Sequence, residues 1–131
     1  MSHDLYHELI IEEYKHPQNV GELSTFDLKI SGSNVSCGDE VTIYIQFGKS
    51  GDQSSPITTL AWRGAGCAIS QSAMSLLSQK ILDEKMTLTQ IKKLTKNDLL
   101  KLLGLETISS GRERCLMLGL ETLKNQPHGH N

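Results

Sequence analysis

Three cysteines and one aspartate carry most of the chemistry this sequence offers. Cys67 stands directly after Gly64-Ala65-Gly66, where a short apolar run ends and the amphipathic segment Ala68-Ile69-Ser70 begins. This order predicts a cysteine in the first turn of a helix, where outward-pointing N–H groups and the positive end of the helix dipole favour a thiolate. A thiolate binds soft metals and attacks sulfur. The plainer alternative is a small residue that packs a helix onto a sheet.

The second candidate is Ser36-Cys37-Gly38-Asp39. Gly38 lets the backbone turn, so that Cys37 and Asp39 can face one centre. A thiolate and a carboxylate two residues apart suit zinc or ferrous iron. A turn in which Asp39 bonds its own backbone and Cys37 is apolar filler would give the same residues. The third candidate is Cys115, flanked by Arg112 and Arg114. Neighbouring guanidinium groups favour a thiolate, although two arginines on a solvated helix face are also ordinary. Nothing in the separations, 30 residues from Cys37 to Cys67 and 48 from Cys67 to Cys115, decides whether the thiols meet. The chain has no Cys-x-x-Cys pair, which excludes a zinc ribbon or thioredoxin reading. Its histidines stand only near the two ends, so a Cys–His or Ser–His–Asp hydrolase has little support. Gly64-x-Gly66 lacks the Lys-Ser/Thr of a phosphate loop. His3 and His7, four apart, have a spacing metal ligands can use, against the plainer reading of two exposed histidines on a terminal helix; His128 and His130 in the tail could hold adventitious metal.

The elements that would position these groups follow from periodicity. Residues 5–16 have the apolar spacing of a helix that Pro17 stops, and residues 16–21 read as a turn. Phe26, Leu28 and Ile30 alternate with polar residues; Val41, Ile43, Ile45 and Phe47 alternate with Thr42, Tyr44 and Gln46; residues 57–63 form a third β-branched run. Short links between them favour an antiparallel meander. After Cys67 the pattern is helical throughout. Ile69, Ala73, Leu77 and Ile81 lie four apart, Thr87 caps a short helix to Lys93, and Asn97 caps another that Gly104 closes. Ser110 and Glu113 have the spacing of a capping box opening a last helix to about Asn125, with Leu116, Leu120 and Leu123 inward and Cys115 on a different face. Strands followed by helices predict one α+β domain over residues 1–131, with 126–131 a disordered polar tail.

With 131 residues the chain is long enough for a single core. Lys+Arg 13 against Asp+Glu 15, a net charge of -2, argues against nucleic acid as partner. No apolar run approaches the roughly 20 residues of a membrane span, and the first residues do not read as a secretory signal. The expected compartment is the cytoplasm, where an odd number of cysteines points to free thiols or ligands.

Taken together, the segments Tyr14-Lys15-His16-Pro17-Gln18-Asn19-Val20-Gly21, Ser36-Cys37-Gly38-Asp39, Gly64-Ala65-Gly66-Cys67-Ala68-Ile69-Ser70-Gln71-Ser72-Ala73 and Arg112-Glu113-Arg114-Cys115-Leu116-Met117-Leu118 resemble the IscU/SufU/NifU N-terminal family of iron–sulfur cluster assembly proteins. All four occur in the family's order. The resemblance implies a three-stranded antiparallel sheet with helices on one side (SufE/NifU-like) and the cysteines at one end. It carries Cys37, Asp39, Cys67 and Cys115 over as metal and cluster ligands, with Gly38, Gly66, Arg112 and Arg114 supporting them. It implies zinc in the isolated protein, and iron with sulfide as a [2Fe–2S] cluster during assembly. The implied partners are a pyridoxal-phosphate cysteine desulfurase of SufS or IscS type and apo iron–sulfur acceptor proteins, around a monomer or weak homo-oligomer.

The role implied is a scaffold and sulfur acceptor rather than an enzyme in the usual sense, with Cys37 the candidate persulfide acceptor. Two alternatives stand beside it: a zinc-dependent sulfurtransferase that activates a SufS-type desulfurase, and a structural zinc or interaction module. Arg114 replaces the histidine that the IscU branch carries before its last cysteine, and Glu106-Thr107-Ile108-Ser109-Ser110 replaces its LPPVK segment. Arg112 fits the SufU branch, yet the insertion usual there before the last helix is absent.

Overall fold

A computed structural model describes residues 3–35 and 38–125, with the side chains of the first helix from Glu8 onward. Cys37, His128, His130 and the rest of the tail lie outside the described residues, as do the side chains of His3 and His7. The elements run α1 (His3–Lys15), β1 (Leu28–Asn34), β2 (Asp39–Phe47), β3 (Ile57–Ala65), α2 (Ala68–Asp83), α3 (Leu88–Lys92), α4 (Lys96–Leu103) and α5 (Ser110–Lys124). The strands form an antiparallel meander in the order β1-β2-β3.

Alternation on β2 sets the layers. Val41, Ile43, Ile45 and Phe47 face inward and are buried, as are Leu60 and Trp62 of β3. Helices α2 and α5 cover that face and extend the core through Leu77, Ile81, Leu116, Leu120 and Leu123. On the opposite face Lys29, Ser31 and Arg63 meet solvent. There Tyr44 is shielded by the edge of Phe26, 5.5 Å between centroids, and by the Lys29 ammonium above its ring.

The expected three-stranded sheet with helices on one side is what forms, with local differences. Phe26 lies outside β1, which begins at Leu28. Thr95, not Asn97, caps α4: its hydroxyl accepts the Asp98 N–H while the Asp98 carboxylate accepts the Thr95 N–H. Ser109, not Ser110, is the cap residue of α5. Its backbone is extended and its carbonyl accepts the N–H of Arg112 and of Glu113, which makes Ser110 the first helical residue. The expected Ser110–Glu113 capping box is therefore absent, and no side chain caps this helix.

Three serines of α2 that the apolar pattern passes over, Ser72, Ser75 and Ser78, are fully buried. Ser75 donates to Glu13 Oε1 at 2.6 Å and accepts the Gln18 N–H at 2.8 Å. Asn19, at a positive φ of 65°, donates to Ser78 at 2.9 Å. Trp62 Nε1 donates to the Gln18 carbonyl at 2.8 Å. This polar layer fastens the turn after α1 to α2 and β3, and each buried hydroxyl has the partner its burial demands.

The approach of α5 to the sheet requires a glycine. A Cβ on Gly32 would overlap the Thr122 side chain, whose hydroxyl is already held by the Leu118 carbonyl at 2.8 Å. Gly32→Ala should therefore lever α5 away from β1 and lower stability by about 1–3 kcal/mol. A urea midpoint equal to that of the unmodified protein would contradict this packing.

Candidate metal centre

The chain ends of β2, β3, α2 and α5 meet at one tip of the sheet. Gly38, at φ 74°, turns the chain into β2 and donates its N–H to the Asn34 carbonyl at 2.9 Å. Asp39 is then the first residue of β2, on the inward face and 2% exposed. Its Oδ1 accepts the Cys67 N–H at 3.2 Å. Its Oδ2 is buried and has no hydrogen-bond partner among the described residues. A carboxylate oxygen in that position is costly unless something binds it.

Gly66, at φ 151°, lies against this carboxylate. A Cβ there would overlap Asp39 Oδ1 and the Ser70 hydroxyl. Cys67 follows as the N-cap residue of α2, one position earlier than the first-turn placement its sequence context predicts. It is partly buried. Burial pushes its thiol pKa up, as does the Asp39 charge. The N–H groups of Ser70 and Ile69 and the Cys115 thiol outweigh both and hold it below the ordinary thiol value. The helix N-terminus thus favours the thiolate.

Cys115 comes from the second turn of α5 and is buried. Its helix face differs from the leucine stripe, as expected, but that face is packed too: Gly119 lies against Met74, and Thr122 against Gly32. Arg112 and Arg114 are exposed on the same helix.

One ligand atom each from Asp39, Cys67 and Cys115 lie within 4.8 Å of one another. Three of the four residues expected to form the site are therefore brought together. The fourth, Cys37, lies outside the described residues, in the connection that leaves β1 at Asn34 and enters β2 at Asp39, two residues that pair in register. Two sulfurs and one carboxylate oxygen match the donor preferences of zinc and of ferrous iron. The orphaned Oδ2 is the atom such an ion would satisfy. Ser70 escaped the sequence reading. It is buried, donates its hydroxyl to the Cys67 carbonyl at 3.0 Å and offers its N–H to the Cys67 sulfur. Its place three residues after a cysteine at a helix start was the available signal.

The NifU-like N-terminal domain model matches residues 5–126. The chain belongs to this family. The NifU-like domain is similar to the iron–sulfur cluster assembly scaffold protein IscU of Thermotoga maritima, 29% identical over 82 residues, 63% of this chain and 54% of that one. It is also similar to the zinc-dependent sulfurtransferase SufU of Bacillus subtilis, 30% identical over 77 residues, 59% of this chain and 48% of that one. The matched stretches thus span about half the length of these relatives. A crystal structure from Fervidobacterium islandicum, described as an iron–sulfur cluster assembly scaffold protein for the SUF system, superposes with a TM-score of 0.65 at 25% identity. The superposition covers 95% of this chain and 97% of that one. None of the described helices is long and apolar enough to cross a membrane.

Gly66→Ala tests the geometry of the centre. The added methyl would displace the Asp39 carboxylate and strain the backbone, so zinc affinity should fall at least about tenfold, or about 1.4 kcal/mol. A competitive chelator titration with affinity unchanged would show that Asp39 does not need the space Gly66 leaves.

Proposed function

We propose that this protein is a scaffold for iron–sulfur cluster assembly, a single domain over residues 1–131 that accepts sulfur and iron, holds them as a [2Fe–2S] cluster and passes the cluster on. The observation that carries this reading is the meeting of two thiols and a buried carboxylate from β2, α2 and α5 within 4.8 Å, in a chain of the NifU-like N-terminal family. The proposed ligands are Cys37, Asp39, Cys67 and Cys115, and the relatives named scaffold proteins support the role.

The residues divide the work. The start of α2 lowers the pKa of the Cys67 thiol and so favours its thiolate form. Asp39 is fixed through Oδ1 and keeps Oδ2 for the iron. Its hard oxygen holds iron less firmly than a fourth thiolate would, which suits a cluster that must leave. Cys37, two residues before Asp39 in the sequence, is the proposed persulfide acceptor. Its thiolate would attack the outer sulfur of a desulfurase persulfide, forming a Cys37 persulfide and releasing the donor's cysteine as thiolate. Zinc, when bound, holds thiolates together as a Lewis acid without redox chemistry. Arg112 and Arg114, exposed beside Cys115, supply positive charge for an anionic cluster or an acidic partner. The proposed partners are a cysteine desulfurase and apo acceptor proteins, and the proposed compartment is the cytoplasm.

Metal and acid-labile sulfide analysis of protein isolated without air tests this reading: iron and sulfide in equal amounts support it, and neither species after reconstitution with a desulfurase sinks it. Asp39→Ala should lengthen the life of the reconstituted cluster, read from the decay of its visible absorption. Faster decay would count against the releasing role of Asp39.

The similarity to the zinc-dependent sulfurtransferase supports a second reading, in which the same centre holds zinc permanently and Cys37 relays sulfur only. There, stripping zinc should abolish activation of the desulfurase, and full activation by metal-free protein would exclude this role.

A further inference from the structure

Cys67 and Cys115 touch each other as well as the position an ion would take. The Cys115 thiol donates a hydrogen bond to the Cys67 sulfur. The two sulfurs lie no more than 4.8 Å apart, and no disulfide joins them. Removing two electrons and two protons from a pair of thiols in contact makes a disulfide.

The two sulfurs differ in access. Cys67 is only partly buried and follows the exposed Gly64-Ala65-Gly66. Cys115 is 3% exposed. A small oxidant therefore reaches Cys67 first and finds Cys115 behind it. An accessible cysteine beside a second thiol that can resolve its oxidised form is the arrangement of redox-sensing cysteines.

The backbone allows the bond to close. Disulfide sulfurs are about 2 Å apart, so one side chain must swing toward the other. Cys67 is the N-cap residue, at φ -80° and ψ 171°, and no preceding helical turn confines its side chain. Helices α2 and α5 already meet closely where Gly119 lies against Met74. The bond would join positions 48 residues apart, which restricts the unfolded chain and favours the folded one.

We propose that Cys67 and Cys115 form a peroxide-sensitive pair: in the metal-free protein a hydroperoxide converts them to an intramolecular disulfide, and the centre takes up no metal until a dithiol reduces it. The pairing stands on the contact between the sulfurs. Its effect on metal loading rests on the reading of both as ligands. The Cys67 thiolate attacks one peroxide oxygen and the O–O bond breaks, leaving Cys67 sulfenic acid and, from hydrogen peroxide, hydroxide. The Cys115 sulfur then attacks the Cys67 sulfur and expels the sulfenic oxygen as hydroxide. The protons the two thiols have lost convert both hydroxides to water. Two electrons have passed from the sulfurs to the peroxide. A dithiol reverses the step by exchange and ends as its own disulfide.

Treating the full chain with hydrogen peroxide, with and without zinc, and mapping its tryptic peptides without reductant tests this. Cleavage after lysine and arginine puts Cys67 on peptide 64–80, Cys115 on 115–124 and Cys37 on 30–49. Circular dichroism would confirm that each sample is folded. In the metal-free protein the linked pair 64–80/115–124 should be the main product and should vanish with dithiothreitol. The oxidised protein should bind zinc at least about tenfold more weakly, and zinc bound beforehand should slow the oxidation at least about tenfold. Cys115→Ser should lose the link and leave Cys67 as a sulfenic acid that dimedone captures. Sulfinic acid on Cys67 as the main product of the unmodified protein, or a link from either peptide to 30–49, overturns the proposal. Zinc protection in those same samples would leave the centre standing. A link that forms as fast with zinc bound overturns the proposed control of loading together with the reading of both sulfurs as ligands.

Discussion

The hydrogen bond from the Cys67 N–H to Asp39 Oδ1 is the contact on which the tip of this molecule depends. It joins the first residue of β2 to the first orphan donor of α2, so one side chain anchors the start of the helix and also lines the centre. The cysteine occupies the cap position that serine or aspartate usually fills, and the carboxylate arrives from another strand instead. Everything around the bond makes room for it. Gly38 turns the chain so that Asp39 enters β2 facing inward. Gly66 keeps clear the volume that a side chain would take from the carboxylate. The second oxygen is left buried with no partner among the described residues, a cost that the rest of the fold must offset.

Cys115 reaches the same point by a longer route. Helix α5 must lie close to both β1 and α2, and each contact is made at a glycine: Gly32 under Thr122, and Gly119 under Met74. Leu116, Leu120 and Leu123 then fix its rotation, and Cys115, one residue before Leu116, is turned toward Cys67. The position of a thiol is thus decided by apolar packing a turn or more away. Shifts of the helix by a fraction of an ångström would be felt at the centre, because a close-packed interface transmits displacement rather than absorbing it.

Much of this was legible in the sequence, unevenly and for physical reasons. The alternation from Val41 to Phe47 announced β2 because one face of that strand is buried and the other is not. The helix starts were harder. Ser109 and Ser110 are equivalent to a pattern search, and only the direction of the Ser109 carbonyl separates them. Asn97 lost to Thr95 because Asp98 stands three residues after Thr95, where its carboxylate can answer the threonine N–H. Ser72, Ser75 and Ser78 fall outside the apolar pattern; Ser72 bonds back to the Ala68 carbonyl, but the partners of Ser75 and Ser78, Glu13 and the turn at Gln18 and Asn19, are some sixty residues away. The convergence of Asp39, Cys67 and Cys115 was invisible to spacing, since chain separations of 28 and 48 residues carry no geometry. It was readable only as a set of family motifs. The dual use of Asp39 had no local signal at all.

The same contacts tie ligand binding to folding. The three donors sit on β2, α2 and α5, and an unfolded chain does not bring them together. An ion held by them stabilises the folded chain in proportion to the logarithm of its excess over the dissociation constant. The effect is confined to one part of the molecule. At the tip, an ion would satisfy Asp39 Oδ2 and remove a cost. At the face of α2 where Glu13 and Asn19 already satisfy Ser75 and Ser78, occupancy changes nothing directly. An ion arriving at or leaving the tip would therefore be felt first at Gly38, Gly66 and the start of α2, which lie around Asp39 and Cys67. The core and the polar layer between α1 and α2 do not draw on those donors, so the fold away from the tip does not depend on the ion.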